Sequence, residues 1–198
     1  MKLHPRSLLL FCSLVALSFT HATTVIPPSF DELVAEAEVI FQGTVTDVKS
    51  QWTGEGGQRH IVSFVTFKVD DVVKGNPGET YTMRMLGGTV DGTTMEVTDT
   101  PKFKVGEREI LFVENNGTQF VPLVGIMHGR FHVTQDSATG ADVVLTNGGQ
   151  AVTDLAQLGK TDPLAHTEAN RARIDPAVKS LDTASFKSAI RAKLEQSQ

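Results

Sequence analysis

Between Val39 and Thr146 the chain repeats one pattern: short runs rich in Val, Ile, Thr and Phe, broken by Gly, Pro, Asn and Asp. β-branched and aromatic side chains suit a pleated, half-buried surface, and the breaking residues supply turns. The longest runs, "VIFQGTVTDV" and "HIVSFVTFKVDDVV", flank "TGEGG" and so predict a hairpin. "KGNPGE" is a second turn, with Pro77 and Gly78 as breakers. "TYTMRML", "REILFVE", "QFVPLVG", "IMHGRFHV" and "DVVLT" follow as short strands, with "NNG" and "SATG" as turns. Strands this short at near-regular spacing predict a mainly β fold, an antiparallel barrel or sandwich.

The flanks differ from this body. Lys2 and Arg6 precede "SLLLFCSLVALSF", and Thr20 and Ala22 are small residues placed for a cut, so residues 1–22 are expected to be a secretory signal peptide. The apolar run is too short for a bilayer span, which predicts a mature chain without a transmembrane segment. "SFDELVAEAE" predicts a short helix, with Ser29 and Glu32 as a capping box and Phe30, Leu33 and Ala37 as its buried stripe. Residues 23–152 then make the β domain with this helix, and 153–181, broken by prolines, a surface linker. In residues 182–198, Phe186, Ile190 and Leu194 fall four apart, which predicts a helix docked on the barrel and capped by Asp182 or Thr183.

Removing the leader takes away Cys12, the only cysteine, and leaves 16 basic against 23 acidic residues, a net charge of −7. That composition excludes disulfides, thiolate nucleophiles and cysteine metal ligands. An acidic chain without a basic stripe also argues against nucleic-acid binding. A periplasmic or extracellular protein held together by packing alone is the expectation.

Few residues carry chemistry. "MLGGTVDGTTMEV" has no Lys after Gly92, and Asp91 would repel a phosphate, so it predicts a tight turn rather than a nucleotide loop. In "IMHGRFHV", read as a strand, Met127, Phe131 and Val133 point inward while His128, Arg130 and His132 line the outer face. Histidines four apart on a strand are separated by about 13 Å at ~3.3 Å per residue, and Arg130 between them repels a cation. No metal or other cofactor is expected; a row suited to a carboxylate or an acidic partner is the alternative to a plain polar face. There is no nucleophile elbow or triad motif. Glu107 and Glu109 can share a strand face, although solvated acids are commoner. Asn116-Gly117-Thr118 matches a glycosylation sequon and equally a hairpin turn.

Taken in order, "AEVIFQGTVTDV", "VVKG" and "KVGEREILF" resemble the netrin-like domain of the tissue inhibitors of metalloproteinases. The longer stretch from Glu32 to Glu114 is similar to a group of small exported bacterial proteins of unassigned function. The netrin-like resemblance implies a small antiparallel OB-like barrel with a short N-terminal helix and a C-terminal helix. It also implies a protease-inhibitor-like role in which the freed amine of Thr23 and the hydroxyl of Thr24 meet a protease zinc. Those inhibitors use an N-terminal cysteine there, which this chain lacks. The expected function is an exported, non-catalytic binding module for another exported protein, with His128, Arg130, His132, Thr23 and Thr24 as candidate binding residues. A secreted hydrolase or metal-dependent enzyme is the alternative.

Overall fold

The computed structural model describes residues 26–98, 100–160 and 179–196. The expected leader, Thr23 and Thr24, and most of the expected linker lie outside them. The first element is helix α1 (Phe30–Glu36). Its capping box forms as the sequence predicts: Glu32 N donates to Ser29 Oγ, and Ser29 N donates to Glu32 Oε2 at 2.7 Å. Its buried residues are Leu33 and Val34, joined by the buried C-cap Ala37; Phe30 is only half-buried and meets Phe186 edge-on. At the other end Lys74 Nζ donates to the carbonyls of Val34 and Ala35, satisfying acceptors that a short helix leaves open.

The strands are β1 (Val39–Thr53), β2 (His60–Lys74), β3 (Thr80–Leu86), β4 (Gly88–Val90), β5 (Thr93–Met95), β6 (Arg108–Val113), β7 (Arg130–Gln135) and β8 (Asp142–Thr146), and helix α2 (Thr183–Gln196) follows. Six of them form an antiparallel sheet in the order β3-β2-β1-β6-β7-β8, while β4 and β5 make a separate small hairpin. Among the described residues no pairing joins β3 to β8. The pairing of β1 with β2 carries register shifts at Ile40/Phe41, Gln42/Gly43 and Val45/Asp47. Such bulges bend a strand and increase its twist. At Gly43 a Cβ would lie 2.7 Å from Lys68 O, so the strands approach there as only glycine allows.

Strand alternation divides the apolar interior in two: Ile40 and Phe112 belong to one cluster, and their neighbours Phe41 and Leu111 to the other. One cluster, with Ile40, Phe112, Phe131 and Val144 from the sheet, is covered by Leu33 and Val34 of α1 and by Phe186 and Ile190 of α2. The other lies on the opposite face of β1, β2, β3 and β6 and contains Phe41, Val65, Phe67, Met83, Met85 and Leu111. Asp182 caps α2 through Ser185 N at 2.8 Å, and Asp71 on β2 receives Lys187 and Arg191 from its side.

The sequence reading fails between β6 and β7. "QFVPLVG" is not a strand: the segment turns repeatedly, with Ile126 at φ 62° and Gly125 at φ 59°, and touches β6 only at the Val113–Leu123 bridge. Its apolar pattern reflects burial of Val121, Leu123 and Val124 instead. This segment also protects the free edge of β3. Leu86 N donates to Phe120 O, and Asn116 stands in for a neighbouring strand, accepting from Arg84 N at 3.0 Å and donating to Thr82 O at 2.9 Å. The sequon asparagine is therefore part of the fold's edge.

Candidate functional site

β7 begins at Arg130, so His128 lies in the preceding turn, next to Gly125, and does not share a strand face with the other two. Arg130 and His132 do share one, opposite the inward Phe131 and Val133. That face is not the polar exterior the sequence suggests. Arg130 is 3% exposed and Glu109 fully buried. Arg130 Nη2 donates to Glu109 Oε1 at 2.7 Å and to Glu107 Oε2 at 2.9 Å. His132 Nδ1 stands 3.1 Å from Glu109 Oε1, and its Nε2 3.3 Å from Asn147 O. The alternation of β6 and the pairing of Glu109 with His132 bring these groups together. Glu109 Oε2 and Arg130 Nε are buried and find no hydrogen-bond partner among the described residues. Among those residues no group of three or more histidines and acids is placed to hold a metal ion.

The cluster anchors a neighbouring segment. Arg130 Nη1 donates to Lys102 O at 2.8 Å, and the guanidinium lies over the Phe103 ring, 4.1 Å from its centroid. Phe103 in turn meets Phe67 edge-on at 5.5 Å. Beyond Phe103 opens a cavity of about 340 Å³ that shares Val65, Met85 and Phe103 with the second cluster. Its floor is Val65, Met85 and Phe103; Val48, Ser50 and Ser63 form the β1–β2 wall. Its roof is the β4–β5 hairpin with the irregular segment that follows it, and the rim carries the ion pair of Glu96 with Lys102, which holds the Glu96 carboxyl below the usual range.

"MLGGTVDGTTMEV" thus both turns the chain and roofs a cavity. Asp91 at φ 49° and Gly92 at φ 77° make the mirror-image turn that suits a tight hairpin. Gly88, at φ 137°, lies so close to the sheet that a Cβ would fall 2.4 Å from both Ser50 Oγ and Ser63 Oγ. Two contacts hold the roof down at this end: Gly87 N donates to Ile61 O at 2.8 Å, and Ser63 Oγ donates to Gly87 O at 2.6 Å.

No protein-family model matches the chain, and no curated protein matches its sequence.

The cavity residues escaped the sequence reading because they are spread over five strands and the segment after β5, and carry no motif. The one signal was the Gly87-Gly88 pair. Two adjacent glycines at a strand's end can mark a close backbone approach as well as a turn. Of the expected binding residues, Arg130 supports the cavity from behind, His132 completes the buried cluster, His128 belongs to a separate turn, and Thr23 and Thr24 are outside the described residues. Trp52 projects from the end of β1, with Arg59 stacked 4.6 Å from its ring.

Proposed function

We propose that this protein is an exported, non-catalytic binding module whose ligand enters the cavity beneath the β4–β5 hairpin. The observation that carries the reading is the cavity itself: about 340 Å³, with an apolar floor and hydroxyl-bearing walls. Sites for small ligands or single anchoring side chains are concave and mostly apolar, with a few polar groups that orient the guest, and they recur in the mouths of β-barrels. Among the described residues the hydroxyls in its walls bond to one another and to backbone carbonyls rather than to a His, Asp or Glu base, which favours binding over chemistry. Export is supported by the basic head and apolar run of residues 1–22. Among the described residues no helix is long and apolar enough to cross a membrane.

The curved sheet is, in this reading, a small OB-like barrel. Support comes from the bulged β1, which pairs with both β2 and β6, and from the hydrogen bonds that tie β3 to the 116–120 segment after β6. The netrin-like resemblance belongs with it as fold-level analogy, which carries no function by itself.

The test is capture from the native host's exported fraction, analysing both proteins and small molecules. Wild type is compared with Val48→Trp, a substitution that suits a strand and fills the cavity from its partly exposed rim. The reading expects ligand retained by wild type and lost from the variant. Equal recovery on both would contradict it.

A further inference from the structure

The hydrogen atoms of the cavity's hydroxyls can be assigned from their partners. Ser63 Oγ has one hydrogen and donates it to Gly87 O at 2.6 Å. Ser50 Oγ lies 2.9 Å from Ser63 Oγ, so it must be the donor in that pair. Thr100 Oγ1 donates to Val97 O at 2.9 Å. Thr89 and Thr94, at the exposed edge of the roof, share a bond of 2.9 Å and spend one of their two hydrogens on it. Among the described residues the inner walls therefore offer lone pairs and no hydroxyl hydrogen. The ion pair of Glu96 with Lys102 leaves the rim without net charge.

The rest of the lining is soft and apolar. Met85 and Met95 bring thioether sulfurs, and Phe103 and Val65 supply flat and branched surface. Thioethers pack favourably against aromatic rings. A guest that buries a ring here and offers a hydrogen to Ser50 satisfies both features. One that brings only acceptors leaves lone pairs facing lone pairs.

Resting on the reading of this cavity as the binding site, we propose that its ligand is an uncharged aromatic group carrying an N–H donor, of the indole type. The indole nitrogen donates and does not accept, which matches walls whose hydroxyl hydrogens are already committed. Two sources share this chemistry, a free indole compound and a tryptophan side chain on another protein. The second would find a place to lie alongside: residues Asp47–Thr53 of β1 pair with β2 on one edge and with no strand on the other among the described residues.

The experiment is an NMR titration of the isotope-labelled exported protein with indole, 1-methylindole and an acetylated, amidated pentapeptide with a central Trp. Indole is expected to shift the amides of Ser50, Ser63, Gly87 and Met95 and to bind about tenfold more tightly than 1-methylindole, the scale of one lost buried hydrogen bond. Ser50→Ala should bring the two within about twofold while 1-methylindole still binds, which also shows that the variant is folded. A pentapeptide tighter than free indole identifies a protein segment as the source, and one no tighter identifies a free aromatic; both support the ligand class. Equal binding of indole and 1-methylindole to wild type overturns the donor requirement but leaves the cavity as a site. No shift with any probe, or shifts remote from the cavity, overturns both the ligand class and the cavity as the place where it binds.

Discussion

The two apolar clusters are built from the same kinds of side chain but are closed differently. The first is sealed by helices, with Phe186 inserted among Phe30, Phe112 and Phe131 at ring-centroid distances of 5.0–6.3 Å. The second is covered at its mouth by a hairpin with only three residues in each strand. Aromatic rings buried edge-to-face contribute area and geometry together, whereas an isolated two-stranded hairpin is marginal by itself. One cluster is thus closed by packed helices, and the other keeps an unfilled space beneath a small hairpin. The buried pair of Arg130 with Glu109 lies on the second cluster's side of the sheet, opposite Phe131 and Val133, and holds Lys102 and Phe103 in place.

The largest effect is expected from the sealed end. Phe186→Ala should lower unfolding free energy by about 3–5 kcal/mol, because the cavity it leaves is walled by sheet and helix and cannot collapse. Denaturant unfolding measures this, and a loss below about 1 kcal/mol would break the contrast. Next comes the strut. Arg130→Met leaves Glu109 buried without its cation and should cost about 3 kcal/mol, whereas Arg130→Met with Glu109→Leu should recover much of it. If the double variant is no better than the single one, the cost lies in packing on Phe103 rather than in the stranded carboxylate.

A smaller effect is expected at the β3 edge. Asn116→Ala removes the bonds to Arg84 N and Thr82 O and should cost about 1–2 kcal/mol. It should also expose an edge competent to pair, read as a concentration-dependent increase in mass by light scattering; a mass unchanged from wild type contradicts the edge role. The smallest is a pH effect on α2. Burial pushes the Asp71 carboxyl up, but hydrogen bonds from Lys187 and Arg191 outweigh it and hold the group below the ordinary value of 3.8. Its contribution to docking α2 is therefore complete above that value and is lost as pH falls through the lowered folded value. Asp71→Asn should flatten the acid limb of the stability curve measured between about pH 5 and pH 2; an identical limb contradicts the assignment.

What the sequence disclosed follows the same division. The capping box at Ser29–Glu32, the β1–β2 hairpin, the Asp91-Gly92 turn and the apolar stripe of α2 are local patterns, and each forms. Glu109 and Arg130 were visible as residues but misjudged as surface. Burial of a charge depends on what crosses over it, here Lys102 and Phe103 from another part of the chain. "QFVPLVG" had strand-like composition but turns, because its apolar residues plug the sheet rather than extend it. The cavity was the least legible feature, since an unfilled space has no residue of its own.

The central claim is that the glycine-rich roof is a cover over a binding cavity and opens independently of the rest. Native-state hydrogen exchange tests it residue by residue. The account predicts that the amides of Gly88–Met95 exchange by local opening, fast and insensitive to low denaturant, while those of Phe186–Ile190 exchange only through global unfolding. Equal protection of the two, with the same denaturant dependence, would show that the hairpin is as permanent as the helix seal and would contradict the account.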